Sequence, residues 1–344
     1  VKFNNGKQDG FNLNVVQVTI AKPLDESEWA AGYRFDAWFG PDANSLNTAS
    51  LNGGSQTFYP NRDFAIRQAY VALRTPIGNG LDWKIGVFDS IIGYESVAGP
   101  SNPNYTRSYG HSIEPQTVTG LLATYRFNDH VSIAAGIGNT IGPTINGRAF
   151  SNNFDADNTK AESDKTYMAS LALTAPDSWG FLSGSSLYGG VVTGYNNVDN
   201  APGGIGATDF EQNSTSYYAG ATMATPINSL KLGVAFDDLV VHDTGGETWV
   251  LGGYASFQAS EKLSLHLRGE YVRDRGNQQF FGSAERIVEV TTTIQYDLWK
   301  NVLSRLEFRW DHAADGSNAF GGKGTAGPTL SNAYMLAANI IYKF

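Results

Sequence analysis

The sequence contains no cysteine, so a disulfide, a thiolate metal site and a thiol nucleophile are all excluded. It also lacks any window approaching the ~20 continuous apolar residues of a membrane-crossing helix. Lysine and arginine form no run, and the formal net charge of −9 argues against a nucleic-acid surface. Charged residues make only 17%, whereas aromatics make 12% and glycine reaches 39 residues. Disordered chains show the opposite balance, so this chain folds compactly. Its 344 residues suit two ordinary soluble domains or one large all-β domain. Averaged hydropathy favours a soluble protein, but it is blind to membrane strands, which need only every second residue apolar over ~9–11 residues.

Period two is what the chain has in abundance. Across 28–40, Trp29, Ala31, Tyr33, Phe35, Ala37 and Phe39 share one face; Gly32, Arg34, Asp36 and Trp38 lie on the other. Leu263, Leu265, Leu267 and Tyr271 oppose His266, Arg268 and Glu270, and Leu306, Phe308 and Trp310 oppose Arg305, Glu307, Arg309 and Asp311. Such segments predict strands at 11–21, 28–39, 63–75, 81–89, 116–127, 131–140, 165–175, 185–196, 214–225, 230–241, 247–258, 262–273, 284–296, 301–312 and 331–344. Short turns such as 76–80, 128–130 and 259–262 alternate with long Gly/Asn/Asp/Ser-rich loops such as 39–62, 89–115 and 197–212. A sandwich would place long loops at both ends, so the pattern predicts an all-β, transmembrane, up-and-down antiparallel β-barrel spanning 1–344 as one domain. Fifteen strands would leave the first and last parallel, whereas single-chain bacterial barrels close on an even number. Sixteen are expected, with residues 1–5 the stub of the extra strand or that strand lying before the supplied chain.

Sixteen strands ~4.8 Å apart and tilted ~40° give a diameter of roughly 30 Å, too wide for wall side chains to fill. A water-filled lumen is expected, lined by both signs: Arg34, Asp36, Arg67, Lys84, Arg126 and Arg268, then Glu270, Arg305, Glu307 and Arg309. Over 64–74 the parity fails, because placing Arg67 inward also turns Val71 and Leu73 inward; a bulge or a protected protomer contact is called for. Trp29, Trp83, Trp249, Trp299 and Trp310, near strand ends, suit interfacial belts.

The closing alternation Asn332, Tyr334, Leu336, Ala338, Ile340, Tyr342, Phe344 is similar to the assembly signal of Gram-negative outer-membrane barrels. Gly86-Val87-Phe88-Asp89-Ser90, Gly93-Tyr94-Glu95, Asn104-Tyr105-Thr106-Arg107-Ser108-Tyr109, Pro115 and Thr119-Gly120, preceded by Gln68-Ala69-Tyr70-Val71, resemble the OmpL-like β-barrel porin family; these motifs lie within 62–140. The resemblance implies a Gram-negative outer-membrane channel for passive diffusion of small hydrophilic solutes and ions. In the general-porin architecture that the layout resembles, 89–115 becomes the third long loop, which folds inward; Glu95, Arg107, His111 and Glu114 would form a constriction opposite the arginine-bearing wall, with a transverse field across it. The expected surroundings are outer-membrane lipid and lipopolysaccharide, and the expected assembly a homotrimer, with Tyr217, Ala219, Ala221 and Met223 of 215–225 at a candidate protomer contact. Acidic outer loops would give a weak cation preference.

Two other classes compete. A substrate-specific channel would use Tyr94, Tyr105 and Tyr109 as a sugar or peptide slide. A surface protease would use Asp237, Asp238, His242 and Asp243 with Asp311 and His312, but these strand ends stand four strands apart, roughly 20 Å, too far to share one water. His111, His130, His242, His266 and His312 show no metal-ligand spacing, and no cofactor is expected. Asp155, Asp157, Asn158, Glu162 and Asp164 lack the glycine and final ligand of a calcium loop and suit a solvated acidic loop.

Overall fold

Alternating side chains over stretches of 7 to 14 residues can bury one face only by pairing edge to edge into a sheet. The computed structural model describes residues 10–46, 48, 63–149, 164–195, 213–242, 245–276, 284–321 and 327–344. Among them are β1 (Val16–Lys22), β2 (Ala30–Phe39), β3 (Phe64–Thr75), β4 (Leu81–Asp89) and β5 (Thr117–Asn128). β6 (Val131–Gly138), β7 (Thr166–Thr174), β8 (Ser186–Tyr195), β9 (Asn213–Ala224) and β10 (Leu230–Val241) follow. The series ends with β11 (Gly246–Gln258), β12 (Leu263–Arg275), β13 (Arg286–Trp299), β14 (Val302–Ala313) and β15 (Asn332–Tyr342). Each pairs antiparallel with its sequence neighbour in a single sheet. All fifteen expected strands are found; the first starts at Val16, later than expected. The stub expected at residues 1–5, the acidic run 155–162 and Asp243 lie outside the described residues.

The two faces of the sheet invert a soluble protein. Val71, Ile85, Leu251, Leu265, Leu306 and Ile340 point outward and are exposed, whereas Asp36, Arg268, Glu289, Glu307 and Arg309 point inward and are wholly buried. Exposed rings gather at both ends: Trp29, Trp179, Trp299 and Phe344 near the short turns, and Phe39, Phe64, Tyr167 and Tyr334 near the long loops. Two such rows of aromatic rings match the girdles that outer-membrane barrels carry at their two membrane interfaces.

The parity failure in β3 is a bulge. Asp36 pairs with Gln68 and Ala37 with Ile66, leaving Arg67 as the extra residue. Arg67 and Gln68 both turn inward and donate to Asp36, at 2.8 and 2.7 Å. Beyond the bulge Val71 is 49% exposed on the outer face and Tyr70 borders the interior, which corrects the inward placement of Val71 and Leu73.

A polar, hydrated inner face throughout is also corrected. Toward the long loops an apolar cluster fills part of the interior: Leu239, Val241, Val250, Val272 and Ile287 pack with Tyr109 and Ile113. Further round, Val118, Leu122, Met168, Val192 and Ala235 enclose Ile92. The segment 90–116, which joins β4 to β5, therefore lies inside the barrel and supplies the core that the wall cannot. Where β4 crosses β3, Gly86 has φ 132° and a Cβ there would stand 2.3 Å from the Ala69 carbonyl oxygen. Gly86→Ala should cost roughly 1–3 kcal/mol of barrel stability, read as a lower midpoint for the heat-induced mobility shift in detergent gels.

Candidate functional site

Loop backbone without regular structure carries N–H and C=O groups that need partners once water is excluded. The wall strands β12–β14 supply them. Glu307 accepts the amides of Tyr105 and Thr106 at 2.6 and 2.9 Å, and Glu270 accepts those of Tyr109 and Gly110 at 2.9 and 3.2 Å. Arg309 donates to the Arg107 carbonyl at 2.8 Å, and Arg305 donates to the carbonyls of Gly99 and Asn102. Arg268 donates to the Thr106 carbonyl at 2.8 Å and to Glu95 at 2.9 Å. Charge-assisted bonds of this kind are about twice as strong as neutral ones, which suits a loop with little secondary structure of its own. Arg309 also grips Asp311 at 2.7 Å and lies 5.0 Å above the Tyr109 ring, whose hydroxyl donates to Asp311 at 2.8 Å.

The loop closes with the short helix α1 (Tyr109–Ile113), capped by the Ser108 hydroxyl, which accepts from the His111 amide at 3.0 Å. On its other side the helix rests on β10: a Cβ on Gly110 would stand 2.3 Å from Asp237 Oδ2, and Glu114 shares a carboxyl–carboxylate hydrogen bond with Asp237. Burial pushes Glu114 up to about 7, so it carries a proton through most of the range below neutrality. Burial, then the neighbouring Arg107, lower His111 to about 4 and keep it neutral. Burial raises Glu95, but the charges of Arg268 and Arg107 outweigh it and hold the carboxylate below its usual range.

These positions correct the expected transverse field. The loop docks on the arginine-bearing wall instead of facing it across water, so Glu95 and Arg268 neutralise each other directly. Glu95 borders the remaining cavity; Arg107, whose Nη2 donates to Val97, His111 and Glu114 do not. Arg268, Glu270, Glu307 and Arg309, expected to line water, are sealed beneath the loop. Arg34, Arg67, Lys84 and Arg305 border a cavity of about 1240 Å³ on the short-turn side, while Asp36 lies buried behind it and Arg126 stands at the short-turn rim. Tyr188, Tyr218 and Tyr254, not singled out from the sequence, border the same cavity, with Tyr254 stacked on Tyr94 at 4.1 Å. The protease arrangement is absent among the described residues: His242 pairs with Thr215 at 2.8 Å and His312 with Asn332 at 3.0 Å, while Asp311 is taken by Arg309 and Tyr109.

A wall that is oily outside and ion-paired inside, with a cavity kept within it, defines the class of outer-membrane β-barrel channels. The chain belongs to the beta-barrel porin-2, OmpL-like family, which it matches over residues 1–344. It is a porin of the Gram-negative outer membrane, a channel for passive diffusion. Its fold is similar to an anion-selective porin from Comamonas acidovorans (TM-score 0.60, 10% identity, 97% of this chain and 91% of that one). It is also similar to OmpF of Salmonella typhi (0.57, 13%, 94% and 89%) and to the outer-membrane channel DcaP of Acinetobacter baumannii (0.56, 10%, 94% and 84%). At these identities the likeness concerns the fold alone. No curated protein matches the sequence.

Arg268→Met would leave Glu95 without its buried ion-pair partner, at roughly 3–5 kcal/mol, and should free the loop. Trypsin should then cut the folded barrel at Arg107, which is protected in the parent. The docked loop should also respond to pH. Glu114 has its value raised, so its contribution is complete below about 4.5 and is lost as pH rises through about 7. His111 has its value lowered, so its contribution is complete above about 6.5 and is lost as pH falls through about 4. Between about pH 4.5 and 6.5 the two contributions oppose, so amide-exchange protection of 105–110, corrected for intrinsic rates, should change little there and fall between about pH 6.5 and 8, and Glu114→Gln should remove that fall.

Proposed function

We propose that segment 90–116 sets the narrowest section of the diffusion path, and that solutes travel between it and the wall formed by β2–β9. The observation that carries this is asymmetric docking: polar bonds fix the loop to β12–β14, while a cavity bordered by Arg34, Lys84, Thr124, Ser132 and Ser170 stays open beside it. The protein works as a homotrimer surrounded by lipid and lipopolysaccharide. Ala219 and Ala221, small residues on the outer face of β9, support close protomer approach there. Catalysis has no part in this reading, because the rim histidines are engaged with a hydroxyl and an amide oxygen.

A substrate-specific channel is the second reading, favoured by the tyrosines that border the cavity. Of the expected slide, Tyr94 is there, whereas Tyr109 is buried against Asp311 and the Tyr105 hydroxyl accepts from Asn14. Planar-bilayer recording separates the two. A diffusion pore gives ohmic steps that sugars and peptides leave unchanged, and removal of 97–107 should enlarge each step. Equal steps with and without 97–107 would place the constriction elsewhere, and saturating block by a sugar or a peptide would favour the second reading.

A further inference from the structure

The chain is acidic overall, yet the surface that borders its lumenal cavity is basic. Five fixed cations border it, Arg34, Arg67, Lys84, Lys231 and Arg305, against two carboxylates, Asp89 and Glu95. Both carboxylates are already engaged by guanidinium groups: Asp89 accepts from Arg67, and Glu95 accepts from Arg268, which is itself buried outside the lining. Asp36, behind Arg34 and Arg67, is wholly buried and accepts from Thr19, Arg34, Arg67 and Gln68. Even with Asp36 counted, cations outnumber carboxylates around the cavity.

Three of the five cations have no carboxylate within 4.0 Å among the described residues: Lys84, Lys231 and Arg305. Lys84 sits 5.1 Å above the Tyr70 ring, an arrangement that holds an ammonium in place without cancelling its charge. Arg305 donates to neutral oxygens, those of Gln295, Gly99 and Asn102. Low-dielectric walls focus the field of such charges into the water between them and enrich ions of the opposite sign. Tyr94 and Tyr188 also border the cavity, are only half-buried, and offer apolar ring surface to the body of a passing solute.

We propose that this cavity is an anion filter, selective for small organic anions with a carboxylate head and an apolar or aromatic body, and that Lys84 and Arg34 are its selecting residues. The inference rests on the channel reading and names the solute class for it; it runs against the cation preference expected from the acidic loops. Purified full-length protein in a planar bilayer under a tenfold potassium chloride gradient should reverse at a potential of the anion-selective sign. Lys84→Gln should lower the chloride-to-potassium permeability ratio at least about threefold, the scale of one unit charge a few ångströms away in water, and Lys84→Glu should lower it further. Potassium benzoate on one side should reduce the chloride current in the parent, and less in Lys84→Gln and Arg34→Gln. Openings of cation-selective sign, or a ratio that ignores all three substitutions while conductance persists, would overturn the anion filter and leave the channel intact. Absence of any openings would overturn the channel reading itself.

Discussion

A loop can lie inside a barrel only where the wall meets its backbone hydrogen bond for hydrogen bond, and the rest of this interior depends on that constraint. Glu270 and Glu307 each accept two consecutive amides, while Arg268, Arg305 and Arg309 each donate to a carbonyl. Carboxylates meet N–H groups and guanidiniums meet C=O groups, so the alternation of sign along β12 and β14 mirrors the polarity of the peptide units laid against them. The same bonds take the charges of Arg268, Glu270, Glu307 and Arg309 out of the conducting space, while Arg305 still borders it. Apart from Arg305, what remains to act on a solute is the opposite wall, where the charge is sparse, basic and less fully paired.

Position along the barrel axis thus divides the work. Toward the long loops the interior is filled, with Ile113 and Tyr109 packed among inward aliphatic residues and Tyr109 also held by Glu270, Asp311 and Arg309. Toward the short turns it is a cavity bordered by hydroxyls, tyrosines and fixed cations. Polar bonds to β12–β14 and that apolar packing together hold segment 90–116, and the cavity beside it is the proposed solute path. Outside, lipid takes the place of the missing second layer that a soluble sheet would need to cover Leu251, Leu306 and Ile340.

Much of the fold was legible because period two reports one thing directly: which side chains share a face. Segments such as Leu306, Phe308 and Trp310 against Arg305, Glu307 and Arg309 fix the facing of β14 without reference to any other strand. Even the bulge announced itself, as a parity that Arg67 and Val71 could not both satisfy. The site was less legible because its decisive contacts join residues far apart in the chain. Glu95 and Arg268 are separated by 173 positions, and no local pattern says whether such a pair meets directly or faces across water. Stretches such as Leu239-Val240-Val241, apolar on both faces, held the clue that an apolar cluster fills the upper interior; read strand by strand, they look like weakened alternation.

The absence of native cysteine allows the docked position of the loop to be tested without background. Asn104 and Thr293 meet side chain to side chain at 2.8 Å inside the barrel, so cysteines placed at both sites in the full-length protein lie within reach of a short bifunctional thiol reagent. Docking predicts an internal cross-link between segment 90–116 and β13, formed in the folded barrel and visible after denaturation as altered mobility. Independent alkylation of both thiols with no cross-link would mean that the loop lies elsewhere.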